Sequence, residues 1–213
     1  DIAKHLKINV RESMSALDIK NNLLGVCDQM YLFEPGDDTT VCVLKAVKPK
    51  KVKLFTGPPS HKEDDAKVVH ELMNNADIRI VSGGTTSQIV ARELGVEVKS
   101  STEIYDKEVP PIAYIQGVDL VTEGVLTLSK TIDRLKSLSK SLDSDIFKAK
   151  DGASQMAKLL YSASHIKLLV GRSLNIANAE SSFQRDLELR LHVVGELEKI
   201  LVKLGKIVTV EYY

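Results

Sequence analysis

The sequence predicts an α/β fold: a mainly parallel sheet flanked by helices and preceded by a small helix-strand segment. Three observations carry this expectation. From residue 50 onward, short runs rich in Val, Ile and Leu alternate with longer amphipathic runs, which is the grammar of βα units. All 6 prolines lie at or before Pro111, so the second half is free to form long helices. Before the charged, proline-bearing stretch Lys48-Pro49-Lys50-Lys51 the pattern is one helix and one strand, so that stretch is the expected boundary between parts 1–48 and 49–213.

Ala16, Ile19, Leu23, Leu24, Val26, Cys27, Met30 and Tyr31 recur at helical spacing behind Ser15, an acceptable N-cap, and predict a helix over 15–32. Glu34-Pro35-Gly36-Asp37-Asp38 breaks it. Thr39 to Leu44 then reads as a buried strand of β-branched residues. Past the boundary, strands are expected near 52–55, 78–81, 118–121, 166–170 and 206–212, and helices near 63–75, 86–94, 124–140, 152–163 and 185–204. In the last helix Leu187, Leu191, Val194, Leu197, Leu201 and Leu204 form a core stripe.

Composition narrows the function classes. With 213 residues, 43% apolar and 27% charged, the chain is of ordinary globular type. Lys plus Arg equals Asp plus Glu at 29 each, so no whole-chain field draws it to nucleic acid or an anionic membrane. Cys27 and Cys42 fall in apolar runs without partners at metal spacing; both read as reduced core residues, a cytoplasmic pattern. Neither a leader nor a membrane-spanning run is expected. Asp1 opens inside an amphipathic stretch with no Met, the pattern of a piece of a longer protein.

Asp37 and Asp38 stand at the mouth of the expected strand, where a hard cation takes oxygen ligands, although taken alone an Asp-Asp pair more often marks a solvated turn. Met14-Ser15-Ala16-Leu17-Asp18-Ile19 followed by Pro35-Gly36-Asp37-Asp38-Thr39-Thr40-Val41 resembles the final helix and strand of bacterial serine/threonine protein phosphatases of the sporulation stage II protein E type. The resemblance implies a manganese- or magnesium-dependent parent enzyme acting on a phosphoprotein, with Asp37 as a metal ligand. The family's other metal aspartates match nothing here, and one carboxylate does not hold a two-metal centre that activates water. Thr56-Gly57-Pro58-Pro59, Gly83-Gly84-Thr85-Thr86, Ala91-Arg92-Glu93-Leu94-Gly95, Pro110-Pro111-Ile112, Gly117 to Gly124 and Val170 to Asn175 look like a two-domain subgroup of these phosphatases, similar to proteins encoded beside iron-only hydrogenases. The segment 176–186 departs from that pattern.

In the second part, Ser82-Gly83-Gly84-Thr85-Thr86-Ser87 joins an expected strand to a helix start, where outward amides and the helix dipole favour an anion. The same glycines also serve a tight βα turn capped by a Thr, and the residues leave both readings open. Gly57, Asp119, Glu123 and Arg172 are expected at other strand ends on the same sheet edge. Together they predict a cleft for an anionic small molecule: amides and a guanidinium for its charge, two carboxylates suited to hydroxyls or a cation. His61 has no partner at catalytic spacing, and His70 and His192 fall on amphipathic helices as packing or surface residues. The leading expectation is a regulatory, ligand-binding module of a phosphatase, itself without a complete phosphatase site. The alternatives are an enzyme acting on a sugar phosphate, whose phosphate loop Ser82 to Thr86 resembles, and a dimerisation domain using the 185–204 helix and the terminal strand as a homodimer contact.

Overall fold

In the computed structural model, Lys51–Thr56 forms strand β1, with five buried residues after the exposed Lys51. A strand buried on both faces needs a layer of helices on each side. The structure describes the chain apart from residues 1, 12–13, 15, 35–37, 141–145, 147 and 174–179, and side chains are not described at 17, 139–140 and 180–185. The chain divides into two units, Asp1–Lys48 and Pro49–Tyr213.

In the second unit β1 pairs in parallel with β2, Ile78–Ser82, on one side and with β6, His165–Val170, on the other. Beyond β2 lies parallel β5, Leu120–Thr122, and beyond β6 lies parallel β7, Ile207–Tyr212. Two short antiparallel strands, β3 at Lys99–Ser100 and β4 at Ala113–Tyr114, complete a seven-stranded sheet ordered β3-β4-β5-β2-β1-β6-β7. The α/β expectation is met. The strand order reverses between β1 and β6, the signature of a doubly wound sheet. Strands β3 and β4 were not legible in advance, because two residues carry no periodicity.

Alternation along the strands sorts the core into two layers. Val52, Leu54, Ile80 and Leu168 face helices α5 (Val125–Lys140), α6 (Gly152–Ser162) and α7 (Glu180–Lys203), which supply Leu128, Leu135, Met156, Leu160, Leu197 and Leu201. Phe55, Val81, Val121 and Leu169 face α3 (Asp65–Met73) and α4 (Gly84–Leu94), which supply Val68, Leu72, Ile89 and Val90. Each fully buried Leu contributes about 2–3 kcal/mol. Local chemistry sets the helix ends: Asp151 accepts the Ser154 amide at the start of α6, and Gly95 closes α4 at φ 66°.

The first unit holds α1, Ile2–Asn9, and α2, Ala16–Met30, and none of its described residues is buried. The helix expected over 15–32 is present; its expected cap, Ser15, lies outside the described residues. The strand expected over 39–44 does not form: residues 38–50 carry no regular structure. β-branched residues favour a strand only where a neighbour completes the ladder, and among the described residues none pairs with Thr39 to Leu44. Cys42 is consequently exposed and Cys27 half-buried, both with free thiols, rather than core residues. Among the described residues no helix is long and apolar enough to cross a membrane.

One polar ladder crosses the sheet on the α3 face. The buried Lys53 Nζ donates to the Glu71 carboxylate at 2.6 Å and to the carbonyls of Glu71 and Asn74 at 2.7 and 2.8 Å. Lys167 bridges Glu71 at 2.8 Å and Glu211 at 2.6 Å, and the Tyr213 hydroxyl donates to Glu211 at 2.9 Å. Glu71 is held below the ordinary carboxylate range, first by the Lys167 hydrogen bond and then by Lys53. Its stabilising effect is therefore present above the unfolded carboxylate pKa and lost as pH falls through the depressed folded one. Glu71→Gln should cost about 1.5–3 kcal/mol at neutral pH in urea unfolding. That difference should shrink on acidification below pH 4.5, the unperturbed value; a pH-independent difference would contradict the ladder's ionic character.

Candidate functional site

Strand β2 ends at Ser82 and the chain turns into α4 through Gly83, whose φ of 122° and ψ of 137° suit glycine alone. The turn is pinned on two sides. The Gly83 amide donates to the Thr122 carbonyl of β5 at 2.9 Å. Thr86 Oγ1 accepts the Gly57 amide at 2.9 Å, which turns this buried hydroxyl inward, toward the end of β1. Ser82 Oγ donates to the Glu123 carbonyl at 2.9 Å, tying β2 to the loop after β5. Ser82 and Thr86 therefore hold the turn in place and do not present free hydroxyls.

The first helical hydrogen bond runs from the Ser87 amide to the Gly83 carbonyl at 2.8 Å. The amides of Gly84, Thr85 and Thr86 precede it, and no described residue accepts from them. Gly84 and Thr85 are exposed. Beside them opens a cavity of about 350 Å³ lined by Gly84, Ser87, Gln88 and Glu123, with an apolar wall that includes Val98, Pro110, Pro111 and Ile112. Glu123 Oε2 accepts the Gly124 amide at 2.8 Å, which fixes one carboxylate oxygen. The Ser87 hydroxyl donates to the Gly84 carbonyl at 2.7 Å and so keeps only its acceptor capacity.

Of the residues expected at one cleft, Gly84, Ser87 and Glu123 line the cavity, Ser82, Gly83, Thr85 and Thr86 form the adjoining turn, and Gly57, Asp119 and Arg172 lie elsewhere. Asp119 precedes β5, at the opposite sheet edge, where its carboxylate accepts the Arg79 amide at 2.7 Å. The strand expected over 118–121 is β5, which begins at Leu120 and ends at Thr122, so Asp119 stands just before the strand start and Glu123 just after its end. Arg172 follows β6 and lies over the Tyr212 ring at 5.4 Å. Since β1 separates β6 from β2, Arg172 is about 10 Å away in strand spacings alone.

Gly57 is buried, and its position beside Gly171 closes the crevice where the strand order reverses. A Cβ on Gly171 would meet the carbonyl oxygens of Pro58 and Gly57 at 2.1 and 2.2 Å. Arg190 of α7 packs over Gly57 and donates to the Gly171 carbonyl at 3.3 Å. Burial lowers the pKa of that guanidinium. Sequence reasoning missed Arg190, because a lone Arg on an amphipathic helix reads as surface. It also missed the apolar wall; Pro110-Pro111-Ile112 was legible as a motif, but its place beside α4 depends on β4 joining the sheet.

Asp37 lies outside the described residues. Among the described residues no three His, Cys, Asp or Glu side chains cluster as a metal site would. The fold and this cavity define an α/β unit with a doubly wound, mostly parallel sheet and a pocket beside the start of its second sheet-covering helix. No protein-family model, curated protein sequence or solved structure matches the chain.

The two threonines at the turn should separate experimentally. Thr86→Ala leaves the buried Gly57 amide without an acceptor and should cost about 1–3 kcal/mol in urea unfolding, whereas the exposed Thr85→Ala should stay within about 0.5 kcal/mol of wild type. Equal effects would mean that the Thr86 hydroxyl does not hold the turn.

Proposed function

We propose that residues 49–213 are a ligand-binding, regulatory module of a metal-dependent serine/threonine protein phosphatase, and that the ligand is a small anion bearing a hydroxyl or ammonium group. One observation carries the ligand reading: the cavity of about 350 Å³ is lined by both Gly84, the first residue of α4, and Glu123. Amides at a helix start are oriented donors that suit phosphate or carboxylate oxygens. A carboxylate repels the same anion, so its place beside them selects a molecule whose neighbouring group donates hydrogen bonds. The volume suits a compact ligand such as a sugar phosphate. The phosphatase reading rests on the Met14 to Ile19 and Pro35 to Val41 resemblance, and it makes Asp37 a manganese or magnesium ligand only in a longer parent chain.

A thermal-shift series with inorganic phosphate, sugar phosphates and nucleotides tests the ligand reading. A true ligand at a hundred times its Kd should stabilise the fold by about 2.7 kcal/mol. Gly84→Val meets open space at its Cβ and should fold normally, yet it and Glu123→Ala should lose the shift. Ligands that stabilise both variants as well as wild type would place binding elsewhere.

The truncated acidic motif yields a second expectation. Supplied with manganese, this chain should hydrolyse neither a phosphopeptide nor an aryl phosphate above background, because one aspartate pair does not hold two cations. Turnover that persists through purification and disappears in Asp37→Ala would overturn it.

A further inference from the structure

The sheet ends in two very different edges. At one end β3 is two residues long and begins with Lys99, a short charged edge of the kind that discourages pairing. At the other end β7 runs six residues, Ile207–Tyr212, with no Pro and no Lys. Its one charge, Glu211, is held on the sheet by Lys167 and Tyr213. Ile207 and Tyr212 are 57% and 49% exposed.

The backbone of β7 is used on one side only. The Ile207 amide donates to Ser164 and the Tyr213 amide to Val170, so alternate residues 207, 209, 211 and 213 turn their backbone groups toward β6. Val208, Val210 and Tyr212 turn theirs outward. Among the described residues none bonds to those outward amides and carbonyls.

We infer that β7 pairs antiparallel with β7 of a second copy of this chain, joining two sheets across a twofold axis at Val210. In that register Val210 meets its own counterpart, Val208 meets Tyr212 of the other copy, and every outward amide finds an outward carbonyl. The side chains agree with the backbone. Val208 and Val210 pack toward the α7 face, so Val208 and Tyr212 form an apolar cross-strand pair there. Thr209 meets Glu211 on the other face, and no like charges are opposed. This self-complementarity favours a second copy over an unrelated extended peptide. The inference is independent of the proposed ligand cavity, which lies at β5 and α4.

Sedimentation equilibrium on the full chain, at several micromolar concentrations, tests it, with circular dichroism as the control for folding. Wild type should run at twice the chain mass. Val210→Pro removes an outward amide and no bond to β6, so it should yield a folded monomer. Thr209→Asp places a carboxylate opposite Glu211 of the other copy in both symmetry-related pairs and should weaken the dimer by about tenfold; it decides the matter if the proline variant does not fold. A monomeric wild type would overturn the inference, and so would a dimer unaffected by the Thr209 variant.

Discussion

The approach of Gly171 to the Gly57 and Pro58 carbonyls is the contact on which the rest of the second unit depends. It brings the exits of β1 and β6 closer than any side chain permits. The Gly171 amide donates to the Thr56 carbonyl at 3.0 Å and the Ser173 amide to the Pro58 carbonyl at 3.0 Å. The Tyr213 carbonyl then accepts from the amides of Ser60 and Arg172 at 3.3 and 2.9 Å, which draws the end of β7 into the same knot. Three strand ends are thus satisfied by one another's backbone, as buried polar groups must be.

This closure decides where open space remains. In an open doubly wound sheet the place where strand order reverses is the usual ligand crevice. Here backbone and the Arg190 side chain fill it, and the free space lies two strands away, between α4, β5 and the Pro110-Pro111 segment. Thr86 links the two regions, since its hydroxyl takes the amide of Gly57 while its own backbone amide belongs to the helix start beside the cavity. The closed crevice and the turn beside the open cavity are thus joined by one hydrogen bond.

The polar ladder on the α3 face shows how the sheet tolerates charge in its interior. Lys53 is buried at the centre of the sheet, but its ammonium satisfies three acceptors at once. Burial first and Glu211 second push the Tyr213 hydroxyl pKa upward, so it remains a donor to that carboxylate. The ladder runs from β1 through β6 to β7. It holds the side chain of Glu211, the one charged residue of the open edge strand, against the sheet.

Hydrophobic pattern by itself determined the class of fold, five of the seven strands and the long helices of the second unit, because alternation and helical spacing are properties of consecutive residues. It also marked Gly83-Gly84 as a strand-to-helix turn. Local pattern did not decide what those glycines serve, since Thr86 and Ser82 are engaged by Gly57 and Glu123, residues far away in the chain. The same limit explains Asp119 and Arg172: membership of a strand end is local, whereas which edge and which neighbour it meets follow from strand order and from where pairing begins. Residues 39–44 make the point in reverse, for they have strand-forming side chains and no strand. A strand is made by its partner, and only the tertiary structure supplies partners.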